Sequence, residues 1–163
     1  MLKQILLGLI IMMISTNFSK AQFSNFITRS GDKIYDGDKE FRFISFNVPN
    51  LLLIEDNVPF TEINQWRIPS EFEIRDALLA VKQMGGKVAR SYVLSVRRDA
   101  DHYTYPRHVD RPGQFNEDLF ISLDKVIQIA NELEIRLIIP FVDNWHWMGG
   151  VSEYAAFRGK DRS

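Results

Sequence analysis

One short stretch of the chain combines side chains of the kinds that bind sugars. Residues 143–147 read DNWHW, so two indoles, an imidazole and an amide share one segment. Flat indole rings stack on pyranose faces while amides bond hydroxyl groups, so Asn144, Trp145 and Trp147 are candidates for glycan binding. The competing interpretation is that the tryptophans pack beneath their loop as a small apolar cluster.

A second candidate is Arg90, which stands in an otherwise apolar stretch. Its neighbours include Val88, Ala89, Val93 and Leu94. A guanidinium in such surroundings needs a carboxylate or carbonyl groups to satisfy its five donors. It could hold a catalytic carboxylate ionised and correctly oriented. It could equally form a structural ion pair at the rim of a sheet, and spacing alone leaves both open.

Two other polar residues end predicted strands. Asn47 closes the run FRFISFN, and Asp143 follows the run IRLIIPFV at residues 135–142. Ligands of parallel α/β folds bind at the carboxyl ends of strands, which makes Asn47 a further binding candidate beside Arg90. No second carboxylate pairs convincingly with Asp143, so hydrogen bonding within its own loop is its expected role.

Several kinds of chemistry receive no support. Asp99, Asp101, His102, His108 and Asp110 match no defined metal motif, and we expect them on a solvated loop. The sequence has no cysteine, no phosphate-binding glycine loop, no G-x-S-x-G and no H-E-x-x-H. We therefore predict no metal and no cofactor. The net charge of −1 gives no electrostatic reason to expect nucleic acid or an anionic membrane as a partner.

The first 21 residues are typical of a secretory signal peptide. A positive charge at Lys3 precedes an apolar run at residues 5–14, and small residues precede a cleavage site after Ala21. The alternative is an uncleaved membrane anchor, although this run is shorter than the roughly 20 residues that a span needs. We predict a signal peptide at 1–21, a mature part at 22–163, and a secreted or periplasmic location; the lack of cysteine excludes a lipoprotein.

The elements that must position these residues alternate between strand and helix. Short strands are expected at 26–28, 34–35 and 41–47, with an Asp-Gly turn signal at 36–37. Helices are expected at 70–84 and 117–133, capped by Ser70 and Asn116, and a third begins near 151. Strands are expected at 88–95 and 135–142, the latter apolar enough to be buried on both faces. The stretches 48–69 and 96–114 are predicted to be long loops.

This order indicates a parallel α/β sheet with right-handed crossovers. The apolar inner face of the second helix is predicted to comprise Leu119, Phe120, Leu123, Ile127 and Ala130. Three strands cannot close or cover such a sheet, and an apolar edge at 137–142 would invite aggregation. The sequence is therefore interpreted as the N-terminal piece of a larger domain.

Together these segments resemble the start of a glycoside hydrolase family 5 enzyme of the endo-β-1,4-mannanase kind. The resemblance runs from about residue 26 to 160. It rests on FRFISFN at 41–47, GKVARS at 86–91, FNEDLF at 115–120, IRLII at 135–139 and VDNW at 142–145, with Gly149-Gly150 and Glu153-Tyr154 following.

The resemblance implies a (β/α)₈ barrel of which only the first three βα units, with an N-terminal hairpin, are present. It implies a retaining glycosidase with two catalytic glutamates, both beyond Ser163. Arg90 matches the family arginine that contacts the nucleophile. Asn144 and Trp145 match the loop after the third strand, and Gly149 and Gly150 match its turn. A β-linked polysaccharide, most of all mannan, is the implied partner.

The chain departs from the family pattern in places that concern the substrate. Residues 48–50 lack the aromatics that often follow the first strand, Asp143 replaces a common asparagine, and His146 stands at a variable position. Glu134 occupies a helix end where glycine is usual, at a cost of about 1 kcal/mol if its backbone is left-handed. A cellulase or β-glucanase of the same family and a non-catalytic glycan-binding barrel remain open. A product complete at 163 residues would be inactive.

Overall fold

The computed structural model describes residues 23–55, 66–96, 106–144 and 148–160. Within those four ranges, no helix combines the length and the apolar character that crossing a bilayer requires. In chain order the elements are β1 (Ile27–Ser30), β2 (Lys33–Asp36), β3 (Lys39–Glu40), β4 (Ser45–Asn47), a 3₁₀ turn (Pro49–Leu51), β5 (Ile54–Glu55), β6 (Trp66–Arg67), α1 (Glu71–Gln83), β7 (Val88–Arg90), β8 (Val109–Arg111), β9 (Gln114–Phe115), α2 (Glu117–Glu132), β10 (Arg136–Ile138) and α3 (Val151–Phe157).

A parallel sheet of order β10-β7-β4 forms the centre of the described structure. Strands β4 and β10 both pair with β7, and α1 and α2 connect successive strands. Phe46, Ala89 and Leu137 are aligned across the three strands and meet the core formed with the two helices. The predicted α/β class and parallel pairing are confirmed.

The residues next to this row point the other way. Side chains alternate between the faces of a strand, and residues in register on neighbouring strands share a face. Asn47, Arg90 and Ile138 therefore lie on the face opposite the helices, at the carboxyl ends of β4, β7 and β10. This alternation decides which residues are available to a ligand.

Both complete helices begin where their caps predict. The Ser70 hydroxyl accepts the Glu73 amide while the Glu73 carboxylate accepts the Ser70 amide, so the capping box is confirmed. The Asn116 side chain accepts the Leu119 amide at 3.4 Å. In the inner face of α2, however, Ile127 was wrongly predicted: it is exposed.

The rotation of α2 explains that error. Val126 and Ile129 are buried in the core together with Ala130. The buried stripe therefore passes on either side of Ile127, which an i, i+4 count from Leu123 had included. Phe120 is half-buried, as expected of a residue at the border of the stripe.

The strands are shorter than predicted and the long loops are less irregular. The predicted strand 41–47 survives only as β4, and 88–95 only as β7, because the chain leaves regular pairing after Arg90. The predicted loop 48–69 contains the antiparallel pair β5–β6, and 96–114 contains most of the pair β8–β9. Local two-residue ladders of this kind carry almost no periodic signal.

The third strand of the sheet, β10, was expected to be buried on both faces, and it is not. Ile138 is 40% exposed, and Phe141, beyond the strand end, is 68% exposed. The cause is position: in the described part of the chain β10 is an edge strand, paired only with β7. Apolar side chains in and after β10 are therefore left exposed by the described part of the chain.

The N-terminal antiparallel sheet packs at the amino ends of the parallel strands. Arg136, the first residue of β10, pairs with Asp36 at 2.9 Å, and its guanidinium carbon lies 3.6 Å from the centre of the Phe23 ring. The predicted Asp-Gly turn is confirmed, with Gly37 at φ +65° between β2 and β3. At the opposite, carboxyl-terminal edge of the sheet, the described strands end in the exposed residues Asn47, Arg90 and Ile138.

Candidate functional site

Asn47 and Arg90 form a polar row at the carboxyl edge of the sheet. They are the last residues of β4 and β7 and are aligned in register. The Val48 amide donates to the Arg90 carbonyl at 2.8 Å, and the Ser91 amide donates to the Ile138 carbonyl at 3.1 Å. The backbone under this row is therefore held from both neighbouring strands, which fixes where the two side chains begin.

Arg90 is exposed, and the described residues do not supply the carboxylate or carbonyl acceptors that its guanidinium is expected to need. Its side chain makes no hydrogen bond or ion pair with them. The physical reason is its face: in β7 it alternates with Ala89, which is buried in the core formed with α1 and α2. Its five donors are thus available to a group that the described residues do not supply.

The loop after β10 is closed at its base by close backbone contacts. Asp143 forms a parallel bridge with Gly150, and the Asp143 carbonyl accepts the Val151 amide at 3.3 Å. A Cβ on Gly150 would approach the Asp143 carbonyl oxygen to 2.1 Å. The Gly149-Gly150 pair of the sequence pattern is therefore needed because two backbone segments touch here.

Gly149 makes the second of these contacts, with the chain that follows β7. Its φ is +73°, and a Cβ at this position would lie 2.2 Å from the carbonyl oxygen of Val96. The Val96 amide donates to the Met148 carbonyl at 2.8 Å. Met148 and Gly149, near the end of this loop, therefore lie directly against the segment that leads away from Arg90.

Three of the predicted site residues, Arg90 as the supporting arginine and two binding residues, lie at this edge of the sheet. Asn144 is exposed on the loop, and Asn47 and Arg90 are exposed at the strand ends. Trp145 and Trp147 lie outside the described residues, as does His146. The structure thus brings Asn47 and Arg90 into one row and places Asn144 on the loop that follows the neighbouring strand.

A buried carboxylate follows the base of the loop in the sequence. Glu153, in the first turn of α3, is 1% exposed and accepts the Gly150 amide at 2.7 Å and the Ser152 hydroxyl at 2.9 Å. A carboxylate at a helix N-terminus satisfies amides that have no partner within the helix. The Glu153-Tyr154 part of the sequence pattern therefore has a structural role beneath the loop, and burial raises the pKa of Tyr154.

The segment 106–110 is not the solvated loop that the sequence suggested. His108 is 1% exposed and bonds through Nδ1 to Ser95, which is fully buried. Burial lowers the pKa of His108 to about 4. The error has a simple origin: charged neighbours set the expectation, whereas a contact with the chain after β7 sets the burial. Asp110 is half-buried, and Asp99, Asp101 and His102 lie outside the described residues.

Sequence reasoning also overlooked two aromatic residues near the site. Trp66, in β6, and Tyr92, two residues past Arg90, are half-buried against an apolar cluster that includes Val93 and Met148. Trp66 stands in the predicted loop 48–69, and Tyr92 stands within the predicted strand 88–95. For Tyr92 the available signal was an aromatic side chain close to the site residue Arg90; Trp66, in a predicted loop, offered no such signal.

The described residues contain no group of three or more histidine, aspartate or glutamate side chains able to hold a metal ion. The geometry instead offers a guanidinium, two amide side chains and nearby aromatic rings at one edge of a sheet. Such a set binds polar, uncharged ligands and can orient a carboxylate supplied from elsewhere.

These features define an α/β protein whose candidate site lies at the carboxyl ends of parallel strands. The family described as "GH family 5 beta-mannosidase-like" matches residues 24–162. The chain therefore belongs to glycoside hydrolase family 5, in its beta-mannosidase-like branch.

Curated relatives are similar to this chain over part of their length. Mannan endo-1,4-beta-mannosidase 5 of Solanum lycopersicum is 32% identical over 87 residues, covering 53% of this chain and 20% of the relative. A curated relative from Arabidopsis thaliana is 28% identical over 150 residues, covering 92% of this chain and 33% of its own length.

Solved structures of low sequence identity share the fold. The family 5 mannosidase of Rhizomucor miehei has a TM-score of 0.62 at 17% identity, covering 85% of this chain and 32% of that structure. The endo-1,4-beta-mannanase of the same organism has a TM-score of 0.57 at 20% identity, covering 83% and 34%. The chain thus spans about a third of these structures.

Proposed function

We propose that this chain is the N-terminal part of a secreted, retaining glycoside hydrolase that cleaves a β-1,4-linked polysaccharide, namely mannan. The observation that carries the proposal is Arg90, a guanidinium open at the carboxyl end of β7 and aligned with Asn47. A retaining glycosidase needs an ionised carboxylate nucleophile, and an adjacent guanidinium favours that state. Family membership and the relatives named as mannan-cleaving enzymes support the substrate.

In this proposal β4, β7 and β10 are the first three strands of a (β/α)₈ barrel. Strands β4 and β10 each pair on one side only within the described residues. Ile138, Phe141 and Val142 are exposed around the end of β10, where a further strand would cover them. We place the two catalytic glutamates on later strands, C-terminal to Ser163.

The binding face comprises Asn47 and Asn144, with Trp145 and Trp147 as stacking surfaces for pyranose rings. Arg90 supports the nucleophile from the strand between them. Asn144 is exposed on a loop whose base is fixed by the contacts of Gly149 and Gly150. A loop whose base is held by close backbone contacts suits the orientation of a sugar chain.

Export is the second part of the proposal. Residues 1–21 act as a signal peptide, so the mature protein begins at Gln22 and works outside the cytoplasm, secreted or in a periplasm. N-terminal sequencing of the exported protein should start at Gln22. An exported protein that still begins at Met1 would identify an anchor instead.

The substrate is tested by comparing glycans with the protein that carries this chain in full. Release of reducing ends should be at least about tenfold faster from β-1,4-mannan than from carboxymethylcellulose or mixed-linkage β-glucan. A site that hydrogen-bonds one sugar hydroxyl discriminates at least that strongly against a sugar in which this hydroxyl is changed. Faster release from a glucan would make the protein a β-glucanase. Binding of mannan without any hydrolysis would support the non-catalytic alternative.

A further inference from the structure

Two buried residues outside the proposed binding face hold each other by reciprocal hydrogen bonds. The Ser95 amide donates to His108 Nδ1 at 3.1 Å, and the Ser95 hydroxyl lies 3.0 Å from the same nitrogen. In return the His108 amide donates to the Ser95 hydroxyl oxygen at 3.2 Å. The Val109 amide donates to the Ser95 carbonyl at 3.0 Å. We call this set of contacts the Ser95–His108 clamp.

The clamp fixes the proton on His108. A backbone amide can only donate, so Nδ1 must be unprotonated and accept from it. A neutral ring then carries its proton on Nε2. That nitrogen is buried and has no hydrogen-bond partner among the described residues. Burying an unpaired donor costs stability, so the useful feature of this histidine is the acceptor at Nδ1.

The residue after Ser95 carries the loop that bears Asn144. The Val96 amide donates to the Met148 carbonyl at 2.8 Å, and Val96 bridges Val109 on its other side. Gly149 packs so closely on the Val96 carbonyl that no Cβ fits between them. The position of Ser95 therefore sets that of Val96, and Val96 sets the end of loop 143–150.

We propose that His108 is a positioning residue for glycan binding: by accepting from Ser95 it fixes the backbone on which loop 143–150 rests. This inference rests on the proposed function, because it takes that loop to be part of the glycan site. His108 is fully buried and touches no sugar; it acts through Ser95, Val96 and Gly149.

The test compares two substitutions of His108 in the full protein. His108→Leu fills the buried position with an apolar side chain and removes the acceptor. His108→Asn keeps an acceptor oxygen near the position of Nδ1. A small displacement of a positioning group lowers affinity by roughly tenfold or more, so H108L should raise KM for mannohexaose about tenfold while kcat changes less than about twofold. H108N should restore KM to within about twofold of the original protein.

A second readout follows the clamp without activity. In the original protein the imidazole ¹⁵N spectrum should show one protonated nitrogen, assigned to Nε2, and one unprotonated nitrogen. Exchange of the Val96 amide with solvent should be at least about tenfold faster in H108L than in the original protein, and nearly unchanged in H108N. Should H108L fail to fold, His108→Phe replaces it, because a flat ring remains while the acceptor at Nδ1 is lost; KM and Val96 exchange should then rise as expected for H108L.

The outcomes separate this inference from the proposed function. An unchanged KM in H108L, or an H108N variant as impaired as H108L, would overturn the role of His108 while mannan hydrolysis by the original protein stood. Equal falls in kcat and in the folded fraction would also overturn it, since that pattern reports stability alone. An original protein that neither cleaves nor binds mannohexaose would refute the proposed function, and with it the positioning role, even if Val96 exchange still responded.

Discussion

Replacing Gly149 by alanine should lower the free energy of unfolding by about 3 kcal/mol. The left-handed backbone at φ +73° costs a residue with a Cβ roughly 1–2 kcal/mol. The new Cβ would also lie 2.2 Å from the Val96 carbonyl oxygen, a backbone atom that cannot rotate away. Overpacking of this kind adds typically 1–3 kcal/mol. Urea denaturation of the full protein, followed by circular dichroism, measures the sum.

Gly113 offers a matched control for that substitution. Its φ is +76°, almost the same as that of Gly149, but a Cβ there would meet nothing within 4 Å. Gly113→Ala should therefore cost only the backbone strain, roughly 1–2 kcal/mol. Equal losses in the two variants would contradict the close approach of Gly149 to Val96.

Replacing Arg90 by alanine should reduce kcat for β-1,4-mannan by about 100-fold or more. Loss of one charged donor beside a reacting group has an effect of this order, because the charge of the nucleophile is then neither favoured nor oriented. The fold should survive, since Arg90 makes no side-chain hydrogen bond or ion pair with the described residues. Initial rates on soluble mannan and a thermal melt of the same sample measure the two effects.

Arg29→Ala is the control for the removal of an exposed arginine. Arg29 lies in β1, in the N-terminal sheet that packs at the amino ends of the parallel strands. Among the described residues, its guanidinium donates only to the Gly31 carbonyl in the adjoining turn. The kcat of the Arg29→Ala protein should stay within about twofold of that of the original protein, as expected for a surface site remote from the reaction. A fall in Arg90→Ala activity that merely follows a lowered melting temperature would argue for the rim ion pair instead.

The helices could be predicted from the sequence because their signals are local. Ser70 and Glu73 contact each other within one turn, and Asn116 caps the next helix in the same way. The left-handed backbone of Glu134, at φ +59°, was likewise visible as a residue in the place of a helix-ending glycine. Local interactions of this kind need no knowledge of the rest of the chain.

The strands and the burial could be predicted only in part because they depend on neighbours distant in sequence. The apolar run 135–142 suggested a strand buried on both faces, yet only Arg136–Ile138 pairs, at the edge of the described sheet. His108 looked solvated among charged residues, yet it is 1% exposed and bonds to Ser95, thirteen positions earlier. The hydrophobic pattern of a sequence indicates how readily each residue is buried, but not which distant residues will pack against it.

The site shows the same division. The rule that ligands bind at the carboxyl ends of parallel strands selected Asn47 and Arg90, and the register places them side by side. The motif also singled out Gly149 and Gly150. It could not show that both glycines are required by backbone contacts with Val96 and Asp143, which lie 53 and 7 positions earlier in the sequence. The described part of the chain therefore adds the physical reason for a pattern already recognised.

The most direct test of the proposed activity is the anomeric configuration of the first product. Mannohexaose is incubated with the full protein and followed by ¹H NMR before mutarotation scrambles the signal. A retaining mechanism, in which a carboxylate nucleophile oriented by Arg90 forms a covalent intermediate, predicts that the β-anomer appears first. Initial appearance of the α-anomer, or binding of mannohexaose without cleavage, would contradict the account.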